Sequence, residues 1–413
     1  MKLKLNNKLF GLYFLILLLP IFFLLNGEIY FEPSIHISSQ KNIYTVPIPI
    51  SYIFSIILIF YLFYKKGFEI LKNKIFKILF FSSIVILIIL TLSKNLNTDR
   101  ILELIQFLIP WMGLFIATNL ENNKNIFKII FYFLFCILSL QLFFTFFLDK
   151  TIIVSDLLFF SVYQNIQYVG VIFTLLTILV SINLFNNKKF AVIFLIILSL
   201  IYSTLTYSFS SLFIWIFFFS GYLIKLIFRE KKHIIYILKY LLIFIIFLLI
   251  SFSFFNYSIK NIDQDKFRTK LSGGGKNYYE NMMKFNDLIN LKIPKNITLR
   301  LTIWEKYYQK IIDDKKILIL GDKDREMDTT YQSAHNLFLD IIYKFGLILI
   351  SPYLFLFFLV LFKLYALKSN EKDFMSLLLV FLVVLTENIF KVSLKQPYPG
   401  IISFYLIGYY LKK

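Results

Sequence analysis

Three short blocks of this sequence carry residue types able to do chemistry. The first is Ser333-Ala334-His335-Asn336-Leu337-Phe338-Leu339-Asp340. His335 is one of three histidines, and it precedes an amphipathic stretch that runs into Phe345-Gly346. A neutral imidazole at a membrane–water boundary can take a proton from a sugar hydroxyl, whereas a histidine at a helix start can equally do no more than hydrogen-bond locally. The second block is Arg300-Leu301-Thr302-Ile303-Trp304. Arginine is always charged and presents a planar donor fork suited to phosphate oxygens. Trp304, one turn later, offers a stacking face for a sugar, or a plain anchor at the membrane interface. The third block runs from Glu387-Asn388-Ile389-Phe390-Lys391 through Leu394-Lys395-Gln396-Pro397-Tyr398-Pro399-Gly400. Lys391 and Lys395 are suited to an anionic lipid diphosphate, with Gln396 and Tyr398 beside them as candidate glycan contacts; simple snorkelling is the alternative. Glu387 stands four residues before Lys391, the spacing of an intrahelical ion pair.

Other polar residues gather at the same expected depth. Arg100 and Glu103 open one apolar run, Tyr163-Gln164-Asn165 opens another, and Ser208, Ser210 and Ser211 mark a turn between two more. Together they suggest a polar cavity, with Arg100 and Asn165 as candidate contacts; singly, each reads as structural. His36 and His233 have no supporting neighbours. There is no phosphate-binding loop, no dinucleotide-binding glycine fingerprint, no serine-hydrolase elbow and no Cys/His spacing for a metal. The expectation is chemistry without cofactor or metal. The single cysteine, Cys136, can form no intrachain disulfide.

The elements that must position these blocks are apolar helices. Of 413 residues, 59% are hydrophobic and 16% charged, well below the charge of a soluble domain. Apolar runs of about 17 residues or more alternate with short polar connectors, the length needed to cross a bilayer as a helix. The alternating ten-residue segments of a β-barrel are absent. The fold expected is an all-α polytopic integral membrane protein of about 12 transmembrane helices. The spans fall at 9–26, 46–64, 75–93, 101–118, 126–148, 165–184, 190–207, 209–228, 234–255, 345–367, 374–390 and 398–411. The basic, apolar N-terminus has no small-residue cleavage site and reads as a retained first span.

The net charge of +20 sits mostly in connectors, which argues for membrane orientation and against nucleic acid as a partner. With the N-terminus inside, inside connectors hold Lys65, Lys66, Lys72, Lys74, Lys124, Lys188, Lys189, Arg229, Lys231, Lys232, Lys368, Lys372, Lys412 and Lys413; the short outside ones hold far fewer cations. Both termini are thus expected in the cytoplasm. The chain divides into spans 1–9 over 1–255, one large outside loop over 256–344 and spans 10–12 over 345–413. Within the loop, Leu299, Ile303, Tyr307 and Ile311 form a helical stripe over 299–312, followed by Ile317-Leu318-Ile319-Leu320-Gly321 and a charged run, Asp322 to Asp328.

Arg300-x-x-x-Trp304, then His335-Asn336-x-x-Leu339-Asp340, then Phe345-Gly346 at a span start resembles the O-antigen polymerase and O-antigen ligase superfamily. The tail from Glu387 to Gly400 looks like that of its Wzy-type polymerases. The span count and the large late loop agree across the chain. There are departures: relatives often carry an arginine where this chain has Ser208-Phe209-Ser210-Ser211, and another where it has Lys395, which keeps the charge but loses the fork. The resemblance implies a glycosyltransferase in a bacterial inner membrane, with the loop in the periplasm. It would join oligosaccharide repeat units carried on undecaprenyl diphosphate, with inversion and without a metal. His335 would deprotonate or orient the attacking hydroxyl, and Arg300, Lys391 and Lys395 would hold the diphosphate; Trp304 and Asn336 would lie against substrate. The bilayer and the lipid-linked glycans are the expected partners, and a chain-length regulator is left open. Two alternatives stand beside the polymerase: a ligase moving the finished glycan to lipid A-core, and a non-enzymatic flippase for the lipid-linked oligosaccharide.

Overall fold

A computed structural model describes residues 34–38, 45–67, 98–120, 125–143, 166–186, 188–205, 209–228, 290–322, 333–395 and 397–413, with isolated positions besides. In chain order the described elements are β1 (Ser34–Ser38), β2 (Thr45–Pro49), α1 (Ile50–Lys66), α2 (Thr98–Asn119), α3 (Ile126–Phe143), α4 (Ile166–Leu184), α5 (Lys189–Leu205), α6 (Phe209–Phe228), α7 (Lys295–Asp313), α8 (Lys315–Leu320), α9 (Leu337–Ala366), α10 (Glu371–Phe390), a 3₁₀ turn at Ser393–Lys395 and α11 (Pro397–Lys412). The described chain is therefore helical apart from one hairpin. Two of these helices, α9 and α10, are long and apolar enough to cross a membrane; shorter apolar stretches run within α1 to α6. The expected spans at 9–26, 75–93 and 234–255 lie outside the described residues, isolated positions excepted.

The helices start where backbone chemistry allows. β1 and β2 pair antiparallel, Ser34 opposite Pro49 and Ser38 opposite Thr45. The span expected from residue 46 begins instead at Ile50. Pro47 and Pro49 lack an N–H and disfavour helical backbone at Val46 and Ile48, so the helix forms only beyond them. The span expected from 345 begins at Leu337 and breaks at Gly346, whose φ of 78° is non-helical.

The chain forms two compact units. One comprises Leu18–Glu32 and Lys124–Lys292 and contains α3 to α6. There the hydroxyls of Thr174 on α4 and Ser203 on α5 lie 3.1 Å apart, beside the ring contact of Phe173 with Tyr202. Cys136 is exposed on α3.

The other unit comprises Met1–Leu17, Pro33–Asn123 and Ile293–Lys413. In it, α11 packs closely along α2: a Cβ at Gly113 would collide with the Ile401 carbonyl. Such small residues let helix backbones approach where lipid supplies no hydrophobic drive. Trp111, Tyr353 and Phe404 form an aromatic core, with Trp111 centred 5.0 Å from Tyr353 and 5.1 Å from Phe404. At the chain's end, Lys412 donates to the Leu120 carbonyl and Lys413 pairs with Asp373 at 2.7 Å. These contacts tie the end of α11 to the end of α2 and the start of α10.

The same unit holds α7 and α8 against α9. The predicted stripe is present in α7, with Ile303, Tyr307 and Ile311 buried together with Ala334 and Tyr343. Leu299, its expected first member, lies outside that cluster and is 48% exposed. Gly346 makes the docking possible, since a Cβ there would strike the Ile319 carbonyl of α8. Asp322 secures the contact beyond α8: its N–H donates to the Tyr343 carbonyl at 2.8 Å, and its carboxylate accepts from the Tyr343 hydroxyl at 2.5 Å.

Candidate functional site

All three chemistry-bearing blocks meet in this second-described unit, where α7, the start of α9 and the connector from α10 to α11 come together. Asp340 is the hub. It sits in the first turn of α9 with no exposed surface. One carboxylate oxygen accepts from the Ala334 N–H at 2.6 Å. The other accepts from the Ser333 hydroxyl at 2.6 Å and from the Lys395 ammonium at 2.7 Å. A buried carboxylate needs such company, because an ion taken out of water without partners is costly.

His335 stands on the turn that Asp340 holds. Its backbone N–H donates to Ser333 Oγ at 3.1 Å, and the Trp304 indole N–H donates to the Ala334 carbonyl at 2.7 Å. His335 has a φ of 51°, a left-handed conformation that side-chain-bearing residues adopt rarely. Strain of that kind persists only where surrounding contacts over-determine it. The result is an exposed histidine on a fixed turn. Asn336, the next residue, caps α9 by accepting the Leu339 N–H on its side-chain oxygen at 3.1 Å.

The cations cluster at the end of α10. Arg300, half-buried on α7, donates to the Phe390 carbonyl at 2.8 Å. That carbonyl is among the last four of its helix, which lack intrahelical partners and carry partial negative charge. Trp304 lies 6.2 Å from the Phe390 ring. Lys391 is buried and pairs with Glu387 at 3.3 Å, the i,i+4 contact read from the spacing. Burial holds the Lys391 ammonium below its ordinary value; Glu387 opposes the lowering and the nearby Arg300 guanidinium adds to it. Asn388 shapes the connector, its side-chain oxygen accepting the Leu394 N–H at 3.1 Å.

Arg300, Trp304, His335, Asn336, Lys391 and Lys395 are thus brought together. Arg100 lies in the first turn of α2, and Tyr398 in the first turn of α11; their side chains are outside the described residues, as are Asn165 and Gln396. Among the described residues no three His, Cys, Asp or Glu side chains gather to hold a metal. The residue that sequence reasoning passed over is Asp340. It closes the His335-Asn336-x-x-Leu339-Asp340 pattern but drew no role of its own, because the helix dipole alone gives reason for an acid in a first helical turn.

The arrangement joins an exposed imidazole to a guanidinium at a helix end, beside an aromatic face. No protein-family model matches the chain, and no curated protein matches it.

Proposed function

We propose that this protein is a surface-polysaccharide polymerase of the O-antigen type. It would join oligosaccharide repeat units carried on polyprenyl diphosphate at the outer face of a bacterial inner membrane. The carrying observation is that the same helix brings Arg300 to the Phe390 carbonyl, 90 positions away, and Trp304 to the Ala334 carbonyl beside His335, 30 positions away. In this reading an acceptor sugar hydroxyl attacks the anomeric carbon of the donor glycan. The bond from that carbon to the diphosphate oxygen breaks, with inversion. The hydroxyl proton passes to the His335 imidazole. The Arg300 guanidinium meets the charge that grows on the leaving diphosphate, and Trp304 lies against a sugar face. Lys391 and Lys395 contribute positive potential to the site while engaged with Glu387 and Asp340. The membrane architecture proposed with it has about twelve spans, both termini in the cytoplasm and residues 256–344 in the periplasm.

Deleting the gene from a host that makes lipopolysaccharide tests this. The polymerase reading predicts that the gel ladder collapses to lipid A-core bearing a single repeat unit. Bare core with polymer accumulating on its lipid carrier would instead make the protein a ligase. An unchanged glycan pattern after His335→Ala or Arg300→Ala, at normal protein levels, would turn the reading toward a flippase.

A further inference from the structure

We infer that Asp340 is the positioning residue for His335, and that Lys395 is its counter-ion and not a ligand of the substrate. The catalytic meaning of this latch rests on the reading of His335 as the base. The latch itself rests on geometry. Three donors from two parts of the chain converge on one wholly buried carboxylate: the Ser333 hydroxyl, the Ala334 N–H and the Lys395 ammonium. Two of them belong to the residues just before His335, and the third comes from 55 positions beyond Asp340.

The same carboxylate therefore does two things. It fixes the turn that holds His335 at positive φ, and it fastens the connector between α10 and α11 to the start of α9. A lysine that left this pair for a diphosphate would strand a carboxylate with no exposed surface, which is the expensive way to break a buried ion pair. The side chain of Lys395 is 19% exposed, so it can lend its field to the site without leaving Asp340. The other charge acting on the Asp340 carboxylate is Lys344 on α9; at the end of α10, Arg300 acts on the separate Lys391–Glu387 pair.

The inference is tested on the full-length, detergent-purified chain in a His36→Gln/His233→Gln background. His335 is then the sole histidine, and the pH profile of its acylation by diethyl pyrocarbonate reports its pKa. Asp340→Asn leaves an uncompensated cation, so the midpoint should fall. Lys395→Met leaves an uncompensated carboxylate, so the midpoint should rise. The Asp340→Asn/Lys395→Met pair is neutral and keeps an acceptor for the Ala334 N–H, so the midpoint should return toward the native one. Lys395→Arg should keep it. Polymer formation should drop by about tenfold or more in Asp340→Asn and in Lys395→Met, and recover to within about threefold in the double.

A double variant as inactive as Lys395→Met alone would make Lys395 a substrate contact and overturn the inference. So would one midpoint shared by all the variants. Should Asp340→Asn fail to accumulate, the double variant and Lys395→Arg carry the test. The acylation profile needs no glycan. The predicted pattern of midpoints in a protein that polymerises nothing would uphold the latch and sink the polymerase reading.

Discussion

Arg300 has one observed contact and one proposed role, and substitution can separate them. Its guanidinium closes the end of α10 at the Phe390 carbonyl, and as the cation of α7 nearest that end it is assigned the developing charge of the leaving diphosphate. Losing a helix-end contact costs about 1 kcal/mol, which leaves the protein folded. Losing a preorganised donor at a charged transition state costs on the order of 10²–10³ in rate. Arg300→Ala should therefore nearly abolish polymer formation while the detergent melting temperature changes little. Arg300→Lys should recover only part of the rate, because the charge returns without the fork; full recovery would show that charge alone is used. Trp304→Phe keeps the aromatic face but removes the donor to the Ala334 carbonyl. It should lower activity through loosening of the His335 turn, seen as faster acylation of His335. At this scale the sequence was partly legible. The Glu387–Lys391 contact follows from helical spacing alone. The Asp340–Lys395 pair does not, because no local rule links an acid in one helix to a lysine 55 residues on; only the tertiary fold joins them.

At the scale of elements, the site depends on how α7 and α8 dock against the break in α9. Gly346 has a φ of 78°, and a Cβ on it would strike the Ile319 backbone. Gly346→Ala meets both obstacles at once. Strain at such a conformation costs about 1–3 kcal/mol, and the backbone collision adds to it. The variant should melt lower than the native protein and should lose activity with no change to any residue assigned to chemistry. Native melting and native activity together would mean that the break in α9 is not needed. The stripe Ile303, Tyr307 and Ile311 was legible because a period of 3.6 residues survives in any context. The pairing of β1 with β2 was not, because Val46 and Ile48 read as apolar in either conformation. The two prolines that decide between strand and helix were outweighed by the apolar run behind them.

At the scale of the whole molecule, α9 and α10 follow from length and hydropathy, and the proposed topology extends the charge bias to the rest. In a Cys136→Ser background, Asn290→Cys should react from outside the cell with a membrane-impermeant maleimide, whereas Lys368→Cys should react only after permeabilisation. The opposite pattern would put the site on the cytoplasmic side and remove the periplasmic reading.

The central claim is that this chain itself makes glycosidic bonds with His335 as the base. The direct measurement incubates purified protein in lipid with one substrate, single repeat units on polyprenyl diphosphate, and reads product length on a gel. The account predicts a ladder of lipid-linked oligomers from the native chain and none from a folded His335→Ala variant. A native chain that yields only the starting unit, or a His335→Ala variant that yields the same ladder at the native rate, would contradict it.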